Sequence, residues 1–119
     1  MEIILYSNLG EPVAFIDSDE GNLIYNLKGE PISYIYNDSL IYSFKGSHLG
    51  WLEAEVLYDA DGQIVGSFES KCRCIPTKDM IGSKREAKQE IETREEPMSK
   101  PKFTKDQSYK GLLAFLNNK

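Results

Sequence analysis

A tyrosine followed four residues later by a glycine recurs four times in the first seventy residues, and this repeat limits the possible folds more than anything else in the chain. The first unit reads Leu5-Tyr6-Ser7-Asn8-Leu9-Gly10-Glu11-Pro12-Val13-Ala14-Phe15-Ile16. The second reads Ile24-Tyr25-Asn26-Leu27-Lys28-Gly29-Glu30-Pro31-Ile32-Ser33-Tyr34-Ile35. The third is Ile41-Tyr42-Ser43-Phe44-Lys45-Gly46-Ser47-His48-Leu49-Gly50-Trp51-Leu52, and the fourth is Leu57-Tyr58-Asp59-Ala60-Asp61-Gly62-Gln63-Ile64-Val65-Gly66-Ser67-Phe68. The steps from unit to unit are 19, 17 and 16 residues for tyrosine and glycine alike. A constant offset inside the unit confines the length changes to the connections.

Two short apolar runs around a glycine-bearing turn are the signature of paired antiparallel strands. The recurring glycine supplies turn geometry, because it takes positive φ without a Cβ clash. Strict alternation along the returning strand would set Val13 with Phe15, Ile32 with Tyr34, Leu49 with Trp51 and Val65 with Ser67 on one face. Ala14, Ser33, Gly50 and Gly66 fall on the other. Small residues at one equivalent position imply a close approach, most simply by the strand of the neighbouring unit. A lone hairpin is marginal in water, so four must bury their faces against one another, around a common axis or as a rolled sheet.

Four units of the form Tyr-x-x-x-Gly-x-(Pro)-apolar-small-aromatic-apolar, with Leu49-Gly50-Trp51 in the third, resemble the small bacterial family of 4-fold beta flower proteins. The resemblance covers about residues 1 to 70. It implies four β-hairpins in a ring and carries no assigned activity. The expected fold is therefore mainly β: a pseudo-fourfold ring of hairpins over residues 1–75, then a mixed-charge tail over 76–119 with one or two short helices. Ser83 with Glu86 would cap a helix from Lys84 to Glu95. A terminal amphipathic helix is expected at about 106–117, capped by Asp106.

Charge divides the chain. Residues 1–70 hold two lysines, Lys28 and Lys45, against twelve acidic residues, a net of −10; residues 71–119 hold twelve basic against seven acidic, a net of +5. A basic tail lying over an acidic ring is favoured over nucleic-acid contact, because acids alternate with the basic residues and no stacking aromatic sits among them. The apolar stripe Tyr109, Leu112, Leu113, Phe115 and Leu116 must dock on something. Its own ring, a second copy or a partner protein groove would serve. A partner groove would leave the ring folded when Leu112 and Leu116 are changed to aspartate.

The only histidine, His48, stands where Pro12 and Pro31 stand in the first two units, and Trp51 fills the slot of Phe15 and Tyr34. These two make the third unit unlike the rest, so a small-ligand site would be sought there. No nucleophile is linked to His48 by sequence, and no catalytic residue is assigned. Cys72 and Cys74 are too close for an unstrained disulfide and make only half a zinc site, so no metal or cofactor is implied. With no apolar run of membrane-spanning length, and Met1-Glu2-Ile3-Ile4 entering a strand directly, a soluble cytoplasmic chain is expected. The leading expectation is a non-enzymatic protein-interaction or structural module, acting by self-association or partner binding.

Overall fold

The computed structural model describes residues 2–17, 19, 22–71, 93–108 and 111–117. Eight strands follow one another in chain order: β1 (Glu2–Ser7), β2 (Pro12–Asp17), β3 (Leu23–Asn26), β4 (Pro31–Tyr36), β5 (Leu40–Ser43), β6 (His48–Glu53), β7 (Val56–Tyr58) and β8 (Ile64–Phe68). Each pairs antiparallel with the next, and β8 returns to β1 through Leu5–Phe68, Tyr6–Ser67 and Ser7–Gly66. The result is a closed barrel with no free edge. A 3-10 turn (Glu69–Lys71) follows β8, and one short helix, α1 (Leu112–Leu116), lies near the end of the chain.

The four turns are built alike. Gly10, Gly29, Gly46 and Gly62 have φ of 79°, 87°, 93° and 81°, the left-handed values that the repeat's glycine anticipates. The residue after each tyrosine holds its turn by side chain. Ser7 Oγ accepts from the N–H groups of Leu9 and Glu11, and Asn26 Oδ1 from those of Lys28 and Glu30. Ser43 Oγ accepts from Ser47, and Asp59 Oδ1 from Asp61 and Gln63. Ser, Asn, Ser and Asp at this one position are therefore part of the repeat. The connections Asn37-Asp38 and Ala54-Glu55 run through left-handed backbone at both residues, the I′ geometry whose twist matches antiparallel strands.

Alternation fails at one equivalent place in each returning strand. Tyr6 pairs with Pro12 while Leu5 pairs with Ala14, which leaves Val13 as an extra residue. Ile32, Leu49 and Val65 are extra in the same way. This fourfold β-bulge swings Val13, Ile32, Leu49 and Val65 onto the inner core, away from the face of Phe15, Tyr34 and Trp51 on which alternation would set them.

Two cores result. The inner one draws on all eight strands, with Leu5, Ala14, Ile24, Ile41, Leu49, Leu57 and Val65 buried and Ile32 and Ile35 packed against them. Only a barrel lumen brings all the walls together, and eight strands leave room for side chains alone. Leu112, Phe115 and Leu116 of α1 belong to this core. The second core is an aromatic belt on the outside, made by Phe15, Tyr25, Tyr34, Tyr42 and Phe44.

The small residues mark close approaches. A Cβ on Gly50 would run into the Tyr58 carbonyl oxygen on β7 and come within 2.7 Å of Phe115 Cζ. On Gly66 it would lie 2.6 Å from the Tyr6 carbonyl oxygen and 2.8 Å from Leu112 Cδ2. Both carbonyls belong to the neighbouring unit, as the repeat implies, and the helix adds a second constraint that the repeat does not contain.

Candidate functional site

Residues 93–108 form a strap across the outside of the third and fourth units, and the strap repeats its own contacts every nine residues. At the third turn, Glu95 N–H donates to the Gly46 carbonyl at 2.8 Å, and the Thr93 carbonyl occupies the space where Gly46 lacks a Cβ. At the fourth, Thr104 N–H donates to the Gly62 carbonyl at 3.0 Å, and the Lys102 carbonyl occupies the matching space. The residue between the two contacts covers an aromatic ring. Arg94 sits 3.8 Å above Tyr36, with the Tyr34 hydroxyl 3.4 Å from its Nη1. Phe103 stacks on Tyr58 at 4.1 Å and leans on Trp51 at 6.0 Å. Farther on, Met98 meets His48, and Gln107 bridges to Ile64, which holds the same place in the fourth unit.

His48 is the joint between barrel and strap. The Met98 N–H can only donate, so Nδ1 accepts it at 2.9 Å, and Nε2–H donates to the Gly50 carbonyl at 2.8 Å. The ring is 7 % exposed, stacked on Tyr42 and edge-on to Trp51. Both nitrogens of the one break in the repeat are thus engaged by backbone of the same chain, and Trp51 is buried beside it. Tyr42 donates its hydroxyl to the Glu95 carbonyl at 2.8 Å; burial, with Tyr34 close by, pushes this phenol up from its ordinary value, against the pull of Arg94.

Burial holds the His48 imidazole below its usual value near 6.5, and the Gly50 carbonyl pulls the other way. The unfolded chain then takes up the proton first. The His48 contribution is complete above about pH 6.5 and is lost as the pH falls below it toward the depressed folded value. The melting temperature of the wild type is expected to drop more between pH 7.5 and 5.5 than that of His48→Gln, which keeps one donor and one acceptor but cannot titrate. Parallel melting curves would assign the acid sensitivity to other groups.

The apolar stripe of the tail splits. Leu112, Phe115 and Leu116 are inside the barrel, while Leu113 is 46 % exposed. Tyr109, Cys72 and Cys74 lie outside the described residues, as does 84–92 of the expected Lys84–Glu95 helix. Its remaining residues, 93–95, are not helical, because their backbone is bonded to the third turn. The terminal helix is also shorter than the expected 106–117. Asp106 does not cap it: the Asp106 carbonyl accepts from Ile64 N–H, Ser108 N–H donates back to Ile64, and α1 begins only at Leu112.

The first unit is left open at the helix end. Its turn presents Leu9, 84 % exposed, beside a cleft of about 680 Å³ floored by Pro12, Val13, Leu27 and Leu112 and walled by Leu113. Glu11, Glu30 and Lys28 rim it. No group of three or more potential metal ligands occurs among the described residues. No helix among them is long and apolar enough to cross a membrane.

The strap leaves no mark in the repeat pattern, whereas the terminal helix expected over 106–117 is present as the shorter α1, packed on the inner core. The family assignment covers both. No curated protein and no solved structure matches the chain. A family model described as 4-fold beta flower protein matches residues 3–116, which takes in the hairpins, the strap and α1 together, and so extends well beyond the first seventy residues that carry the repeat. By that match, the chain belongs to the 4-fold beta flower protein family.

Proposed function

We propose that the chain is a small cytoplasmic protein-interaction module, and that its docking face is the corner between the first turn and α1. The observation that carries this reading is Leu9, the most exposed of the large hydrophobic residues described, beside Leu113 on the wall of an apolar-floored cleft. Strap contacts cover the turns of the third and fourth units, so this corner is where the fourfold pattern is broken toward solvent. A large exposed apolar side chain beside a pocket is the usual form of a protein contact. The acidic barrel, with its net of −10 over residues 1–70, favours a segment that offers an apolar side chain with basic flanks.

Contact with nucleic acid through the tail is less well supported. Arg94 is engaged with Tyr34 and Tyr36, and Lys100 pairs with Glu53 and faces Phe103, so these cations are turned to the chain's own barrel. The test is Leu9→Asp with Leu113→Asp. Both side chains are exposed, so the melting temperature should hold. Recovery of a partner protein from nuclease-treated lysate, read with the purified partner by titration, should weaken by about tenfold or more. Unchanged affinity in the double variant would remove this corner as the docking face. A change in oligomeric state alone would make a second copy the occupant.

A further inference from the structure

We propose that the cavity on the β8 side of the first turn is a small-molecule site, and that it takes a single aromatic ring bearing a carboxylate. Each junction between units pairs two residues of the outer belt across adjacent strands. Phe15 pairs with Tyr25, Tyr34 with Tyr42 and Trp51 with Tyr58. The fourth junction closes the barrel, and there Ser67 pairs with Tyr6. A serine thus stands where the other three units put a ring. A cavity of about 300 Å³ opens on it, bounded by Ser67, the first turn, Lys71 and Gln107. The described strap does not fill it. Phe103 covers Trp51 and Tyr58, Gln107 bridges to Ile64, and Leu112 is already in the inner core. The docking cleft lies on the β3 side of the same turn, so this site goes beyond that reading.

Polar groups converge on the cavity. Ser67 is 8 % exposed, and no described group hydrogen-bonds its hydroxyl. A hydroxyl so deeply set is ordinarily paired, and one that lines a cavity can bond whatever enters. Asn8 Nδ2 donates to the Ile64 carbonyl at 2.8 Å, which leaves Oδ1 as an acceptor. Ser7 Oγ accepts from its own turn, so its O–H is left to donate. Lys71 is exposed, pairs with no described carboxylate and is the one charged side chain among the described lining residues.

These features select the ligand. The volume stands at the lower end for small-molecule pockets and holds one ring. The slot is one that a planar side chain fills in the other three units, and Leu9 offers an apolar surface beside it. Lys71, in a lining otherwise neutral, favours an anion, and a carboxylate can accept from Ser7 and Gln107 as well. A hydroxyl on the ring would meet Ser67 and Asn8. The compound para-hydroxybenzoate combines ring, carboxylate and hydroxyl.

Titration of para-hydroxybenzoate into the full chain, followed by amide NMR, is expected to shift Asn8, Gly10, Ser67 and Gln107 and to saturate with a Kd below about 1 mM. Phenol and acetate, each one half of the ligand, should bind at least about tenfold more weakly. Lys71→Ala should weaken binding by about tenfold or more and leave the melting temperature in place, because its side chain is exposed. Ser67→Phe, which restores the ring found in the other units, should abolish binding. The absence of a saturable shift at those amides overturns the proposal. So does acetate binding as tightly as para-hydroxybenzoate, which would mean an adventitious ion only, and so does full affinity in Lys71→Ala or Ser67→Phe.

Discussion

Leu116→Asp is expected to abolish folding of the barrel itself. Leu116 is 0 % exposed in a core to which all eight strands contribute. Truncation of a buried leucine to alanine costs about 2–5 kcal/mol, and an unpaired carboxylate in the same place costs more. A domain of this size has roughly 5–15 kcal/mol in all, so the charge alone removes most or all of it. Far-ultraviolet circular dichroism and Trp51 fluorescence should both report an unfolded chain. Leu113→Asp, one turn-face away and exposed, should fold and melt as the wild type does. A cooperative transition in Leu116→Asp near the wild-type temperature would mean that the helix is an accessory to the barrel and not its filling. The same experiment distinguishes a core helix from the partner-docking helix that the stripe alone allows.

Gly50→Ala is the second large effect, from a single methyl group. The added Cβ meets a backbone oxygen, that of Tyr58, on a strand fixed by pairing on both sides, and Phe115 Cζ at 2.7 Å on the other. Neither can retreat without opening β6 from β7 or lifting α1. Overpacking of this kind costs typically about 1–3 kcal/mol, and the backbone clash puts Gly50 at the upper end. Gly111→Ala is the control, because nothing lies within 4 Å of the position where its Cβ would be. Its stability should shift by no more than about 0.5 kcal/mol. Urea denaturation midpoints for the two variants test the pair. Equal midpoints would show that the lumen has slack at Gly50.

Both effects bear on what a repeat can and cannot reveal. Tyrosine and glycine at a fixed offset made the hairpins and the ring legible, because turn chemistry is local and each turn uses its glycine the same way. The side-chain acceptors Ser7, Asn26, Ser43 and Asp59 were equally local and open to the same comparison. The bulges at Val13, Ile32, Leu49 and Val65 were not legible, since an extra apolar residue in an apolar run leaves no mark in the alternation until pairing is known. His48 attracted attention as the one break in the pattern, but its partner, Met98 N–H, lies fifty residues away and carries no side-chain signal. The strap contacts at Gly46 and Gly62 are backbone to backbone, so Thr93, Glu95, Lys102 and Thr104 have no common residue type to find.

The filling of the barrel by α1 has a consequence for synthesis. Hairpins close between near neighbours in sequence, and such contacts form early and fast. The pairing of β1 with β8 must wait for residues 64–68, and Leu112, Phe115 and Leu116 leave the ribosome more than forty residues after β8. During that interval a growing chain carries four assembled hairpins around an unfilled lumen, a state that is sticky and open to proteolysis. The last step of maturation is then the arrival of a plug, and a message cut short between β8 and α1 yields all eight strands without the side chains that fill their interior.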